Sequence, residues 1–347
     1  MKHIDISAMF PGRTARRLMG TSLAVGAVAV LALAASDPSA GATAWVDPAG
    51  VSLASATSQD SAATFTRSTV RYAFRTIDDQ KDATFNQLLG INDDGRIAGY
   101  FGSGADATHP NKGYVVGRPY AQRNFVNENV PGSTQTQVVG IDDRGTTVGF
   151  YVDAAGANVG FVRRDGRFTS ISNPATAHQT PFDQLLGINN GGIAVGFYND
   201  ANGASHGYTY NVRTRAFSPV TLPVAADSVV AAGINDHGDV SGFYTVGKVT
   251  RGFLIVGGHF ITLQFGGKTN TQAFGVDNSD QVVGSFLDKA GAMHGFLLTR
   301  GRLSQVDDPN GAAGSVVNGL NNRGRLVGFY VDRAGLTHGF LAQQKAS

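Results

Sequence analysis

The chain is organised by pairs of short apolar runs joined by a polar turn. From Gly90 to Phe101 it reads GINDDGRIAGYF, with apolar and polar residues alternating on both sides of Asn92-Asp93-Asp94-Gly95. That is the signature of two strands meeting at a tight hairpin. The pattern returns from Gly140, Gly187, Gly233, Gly275 and Gly319, at intervals of 50, 47, 46, 42 and 44 residues. A second hairpin follows: VDAAGANVGF, NDANGASHGY, LDKAGAMHGF and VDRAGLTHGF share an Asp, a turn glycine and a closing Gly-aromatic pair. In the first unit AFRTID, QLLGIN, RIAGYF and KGYVV read as four short strands, the content of one propeller blade.

Two features of the first hairpin set its geometry. Gly95, Gly145, Gly192, Gly238 and Gly324 occupy the turn position that needs positive φ, and Asp280 stands there in the fifth copy. Two places earlier stand Asp93, Asp143, Asn190, Asp236, Asn278 and Asn322, whose side chains are expected to bond forward and fix their own turns. A second glycine, Gly99 in the first copy, recurs in all six and implies a close backbone approach or a bend. Of the two aromatics that usually follow it, one is expected between blades and the other outward.

The predicted fold is therefore all-β, a six-bladed β-propeller over residues 69–347, built from six repeats of 42–50 residues. Antiparallel hairpins argue against a parallel β-helix, and closing the ring removes the sheet edges. The strand Tyr72–Ile77 precedes the first full unit and is expected to complete the last blade.

Residues 1–44 read as a secretory signal peptide: Arg13, Arg16 and Arg17 precede the apolar stretch Leu18–Ser36, and Ala42-Thr43-Ala44 offers a cleavage site. Retention of that stretch as an anchor is the alternative. Residues 45–68, rich in Ala, Ser and Thr, read as a flexible linker. A secreted product is expected, extracellular, periplasmic or on the cell surface, with no other membrane insertion. The formal charge of +2 comes entirely from residues 1–44; the remainder carries 24 basic and 24 acidic residues. With no basic run, nucleic acid is not an expected partner.

The units resemble the extracellular HAF repeats, which carry a Gly-Ile-Asn-Asp-x-Gly core and a His-Ala-Phe-like tripeptide. Here the tripeptide is His206-Gly207-Tyr208, His294-Gly295-Phe296 and His338-Gly339-Phe340, while Lys112, Val159 and Arg251 replace the His elsewhere. The resemblance implies secretion and a repeat architecture. It implies no reaction and no catalytic residues.

The chemistry-bearing residues point the same way. There is no cysteine and no G-x-S-x-G elbow. The three tripeptide histidines occupy equivalent places in different blades, so they disperse around the ring as exposed strand-edge residues and do not converge on a metal. The Asp/Asn turns could offer oxygens to calcium but lack the spacing of a calcium loop, and turn formation accounts for them. No cofactor is expected, calcium being the one ion with a case.

What varies is the polar loop before each core, and all six loops should emerge on one face. Gln87, Gln137, Gln184 and Gln272 recur three residues before the core glycine. They are candidates for an amide ring at the channel mouth that would suit a glycan, the alternative being that they satisfy a neighbouring blade. The expected function is a secreted, non-enzymatic, monomeric binding or scaffold protein that recognises a glycan or a protein by these loops. The alternatives are a polysaccharide hydrolase or lyase with carboxylates in the central channel, and a structural envelope or matrix component.

Overall fold

The computed structural model describes residues 66–68, 70–179, 181–265 and 270–345. The expected signal peptide and most of the expected linker lie outside the described residues. Six antiparallel sheets radiate from one axis. Blade 1 runs from axis to rim as Asn86–Ile91, Ile97–Phe101, Lys112–Val116 and Phe125–Asn127. The inner strands of blades 2 to 6 are Gln135–Ile141, Asp183–Ile188, Ser228–Ile234, Thr271–Val276 and Gly314–Leu320. Each touches the next, and the sixth touches the first. The chain is a six-bladed β-propeller.

Two N-terminal strands fasten the ring. Strand β2, Tyr72–Thr76, pairs antiparallel with Thr337–Gln344 and supplies the rim of blade 6, as the sequence predicts. Strand β1, Thr66–Ser68, pairs parallel with Arg302–Leu303–Ser304 on the rim of blade 5. The linker expected over 45–68 is corrected at this end. Three residues are too short for alternation to be read, but an open rim offers unpaired backbone groups that even a short strand can use.

Antiparallel strands sort the connections by end. The GINDDG-type inner turns and the third-to-fourth-strand turns lie at one end, the turn face. The second hairpins and the interblade loops lie at the other, the loop face. In blade 1 the inner turn closes with Gly95 N–H donating to Asn92 O, and Gly95 has φ +82°. Asp280 adopts φ +58° at the equivalent place in blade 5, as expected.

The mid-strand glycines answer a close approach. A Cβ on Gly149 would collide with the Gln137 carbonyl and stand 3.0 Å from the Phe161 ring. Removing the side chain lets the fully buried third-strand aromatic lie flat across the sheet.

Every inner strand carries a bulge just before its core glycine, as between Leu88 and Gly90. The extra residue is Leu89, Val139, Leu186, Ala232, Phe274 or Asn318, and a bulge re-aims its side chain. The first five pack in one cluster with Tyr100, Phe150, Phe197, Phe243 and Phe329 from the second strands. The axis is thus filled by an apolar plug. The first aromatic after the mid-strand glycine points there; the second packs among the blade clusters, half-buried as Tyr198 and buried as Phe286, which corrects the expectation that one of the pair lies outward.

Candidate functional site

At the turn face the structure gathers the predicted turn residues. Asp93 N–H donates to Asp143 Oδ1 (2.8 Å), Asp143 N–H to Asn190 (2.9 Å) and Asn190 N–H to Asp236 (2.8 Å). Asp236 N–H continues to Asn278 (2.9 Å), Asn278 N–H to Asn322 (2.8 Å), and Asn322 N–H returns to Asp93 (2.9 Å). The six bonds close a collar. Asn190 Nδ2 also donates to Asp143 and Asp236, Asn278 Nδ2 to Asp236, and Asn322 Nδ2 to Asp93, so each carboxylate receives an amide proton.

This corrects the role expected of these six residues. Each is the first central residue of its turn, and its side chain bonds to the backbone of the preceding blade. The residue before it fixes the turn: Asn92, Asp142, Asn189, Asn235, Asp277 and Asn321 accept from the N–H four residues on. The collar encloses a recess of about 80 Å³, well below the roughly 300 Å³ at which small-molecule pockets begin. Its oxygens hold blades together.

The four glutamines do not form a ring open to ligand. Gln87, Gln137, Gln184 and Gln272 are 2%, 0%, 6% and 3% exposed. Each shares a sheet face with the second-strand residue opposite it, Tyr100, Phe150, Phe197 or Ser285, and is buried there. Gln137 and Gln184 donate Nε2 to Asn111 (2.8 Å) and Asn158 (3.2 Å) of the preceding blade. The candidate amide ring at the channel mouth is corrected to a buried junction.

At the loop face the second hairpins are built on aspartates. Asp153, Asp200, Asp288 and Asp332 each accept from the N–H groups two and four residues on, at 2.8–3.0 Å. The second oxygens of Asp200, Asp288 and Asp332 meet the tripeptide histidines, which lie on third strands inside the sheets. His294 is held between Asp307 (2.7 Å) and Asp288 (3.5 Å), and His338 between Asp78 (2.8 Å) and Asp332 (3.5 Å). His206 has one acid, Asp200, at 2.9 Å from Nε2. Thr221 stands where Asp307 and Asp78 stand in their blades, because Val220 N–H bonds to Gly207 O just as Val306 bonds to Gly295 and Ile77 to Gly339. His206 Nδ1 has no partner among the described residues, and its ring stacks on Tyr198 at 5.2 Å.

A groove of about 450 Å³ lies beside His206 over blade 3. Tyr198, His206 and Phe217 form one part of it; Val220, Leu222 and the exposed Val224 form an apolar wall; Asn173 and Thr221 add polar groups. Beneath it Tyr208 donates its hydroxyl to Asp183, which also accepts from Asn173 N–H at 2.5 Å. Burial of Asp183 outweighs these bonds and pushes its carboxyl up to about 6. Sequence reading missed this group. Its one signal was the Asp that precedes Gln184, where the other units with glutamine have Asn86, Thr136 and Thr271.

No family model matches the sequence, and no curated protein matches it. Among solved structures the chain is similar to a lectin from Aleuria aurantia in complex with Fucα1-6GlcNAc, at 10% identity over 76% of this chain and 95% of that one, with TM-score 0.46. It is similar to a family 25 polysaccharide lyase acting on ulvan, at 13% identity over 76% and 81%, with TM-score 0.42. A gluconolactonase from Xanthomonas campestris gives 11% identity over 78% and 89%, with TM-score 0.47. These likenesses concern the path of the chain alone.

Proposed function

We propose that this chain is a secreted, non-enzymatic propeller that binds a neutral, hydroxyl-rich ligand, a glycan, in the groove over blade 3. The groove itself carries the reading. An apolar wall and the Tyr198–His206 stack, together with the polar groups of Asn173, Thr221 and the open Nδ1 of His206, suit a ring with one apolar face and a hydroxyl-bearing edge. The apolar plug takes up the axis, so the reading puts no chemistry in the channel.

Titration calorimetry of the full chain against a panel of neutral oligosaccharides tests it. Val224→Asp places a charge on the exposed wall and His206→Ala removes the polar edge. Each is expected to weaken binding at least fivefold and leave the melting temperature within about two degrees, since both side chains lie largely outside the core. Binding unaffected by either substitution, or no binding across the panel, overturns the reading.

A further inference from the structure

On the turn face, between the rims of blades 5 and 6, the structure has a second cleft, of about 620 Å³. It is independent of the groove over blade 3. One wall is the third-to-fourth-strand turn of blade 5, where Arg300 adopts φ +48° and Arg302 opens the rim strand. The other is the start of the N-terminal strand of blade 6: Tyr72 begins β2, opposite Gln344. Val70 and Tyr72, with Gln344, form this wall.

The lining is chemically one-sided. It holds two guanidinium groups, hydroxyls and amides, and no carboxylate. Arg300 and Arg302 make no ion pair and donate no side-chain hydrogen bond among the described residues, although Arg163 and Arg164 in blade 2 each have an acid within 4 Å. Both line one cleft, and a guanidinium without a counter-ion is a ready donor of charge-assisted hydrogen bonds to an anion. Ser304, two residues beyond Arg302, faces the same side of the rim strand. Gln281 and Gln344 add amides from the two blades. The Tyr72 hydroxyl is buried and has no partner, so it too has a proton to give. Burial pushes it up to about 12 and keeps that proton in place at neutral pH.

We propose that this cleft binds an acidic saccharide, its anionic group held by Arg300 and Arg302 and its hydroxyls by Ser304, Gln281, Gln344 and Tyr72. A carboxylate and a sulfate ester present the same chemistry to two guanidiniums, so either source of charge fits. The volume has room for one or two sugar residues. The turn face would then read charge, and the loop face a neutral ring.

The experiment is direct titration of the full chain with oligogalacturonate, sulfated dextran oligosaccharide and neutral dextran of matched length. At least one charged probe should bind tenfold or more tightly than dextran, and which one does identifies the anion. Arg300→Gln with Arg302→Gln should lower that affinity at least tenfold without moving the melting temperature, because both side chains are exposed. Raising the salt from about 0.05 to 0.5 M should weaken the wild type and leave the double variant unchanged. Val224→Asp, on the other face, should bind the charged probe as the wild type does, so this site and the groove fail separately. No preference for a charged probe, or equal affinity in the double variant, overturns the proposal.

Discussion

Asp236 and Asp183 sit at opposite ends of the propeller wall, and the fold treats them in opposite ways. Burial pushes Asp236 upward, but the amide of Asn278 and the N–H groups of Asn190 more than offset it and hold the carboxyl below its usual range. Asp183 is fully buried, and its bonds from Asn173, Tyr208 and Thr176 do not offset its burial, which pushes the carboxyl up to about 6. The collar is a repeated device in which every charge has a matched donor. The interblade clasp at the loop face is also repeated, yet neutral groups perform it elsewhere: Val130 N–H bonds to Thr136 Oγ1, Asp308 N–H to Ser315 Oγ and Asp79 N–H to Asn86 Oδ1. Holding the loop therefore needs an oxygen and no charge. At Asp183 a charge stands where the repeat needs none, beside the groove, and its burial is not offset.

The contrast is sharpest in its pH dependence. Asp183 has a folded value raised to about 6 from 3.8, so the folded state binds its proton more tightly than the unfolded chain does. Its contribution is full below pH 4 and is lost as pH rises through 6, by up to about 3 kcal/mol. Asp183→Asn keeps an acceptor for Asn173 and cannot ionise. The variant should match the wild type near pH 4 and exceed its stability by about 2 to 3 kcal/mol at pH 8 in denaturant unfolding. A difference that does not grow with pH would remove Asp183 from the comparison.

At the collar the sign reverses and the effect is smaller. Asp236→Ala strands the N–H of Asn190 and the amides of Asn190 and Asn278, which bond to it at 2.8, 3.0 and 2.9 Å. These groups reach solvent, so the loss should be about 1 to 2 kcal/mol. Because the folded Asp236 lies below its unfolded value, the lost stability is present above pH 4 and fades as pH falls below it. If the two substitutions gave pH profiles of the same slope, the two faces would not differ as argued.

Much of this was legible in the sequence where the repeat speaks and little where it is silent. Six copies of a turn such as Asn92-Asp93-Asp94-Gly95 determine the number of blades, the hairpin type and the glycine positions, because each rests on local backbone geometry. Ring partners are not local. Asp93 and Asn322 are 229 residues apart, and only closure shows that Asp93 serves a neighbour while Asn92 serves its own turn. The glutamines misled for a related reason: recurrence at Gln87, Gln137, Gln184 and Gln272 marked a shared environment, but a polar side chain recurring inside a wall looks in sequence like one at a mouth. The open Nδ1 of His206 depends on one unit lacking what others have. Thr221 in place of Asp307 or Asp78 is visible only after superposing loops of different length.

The smallest change in stability should come with a change in recognition. Asp200 Oδ1 holds the hairpin through Asn202 and Ala204, while its Oδ2 meets His206 Nε2. A neutral ring bonded to a carboxylate carries its proton on Nε2, which leaves Nδ1 as an acceptor beside Thr221. Asp200→Asn preserves the hairpin oxygen and turns an amide toward Nε2. That nitrogen then accepts, and the proton moves to Nδ1. An exposed pair of this kind contributes under about 1 kcal/mol, so unfolding should shift by less than about 0.5 kcal/mol. Nitrogen-15 shifts of the His206 ring should exchange between the two positions, and affinity for the neutral ligand should fall severalfold as an acceptor becomes a donor. An unchanged tautomer would mean that Asp200 does not orient His206. An exchanged tautomer with unchanged affinity would mean that the groove reads its ligand without this edge.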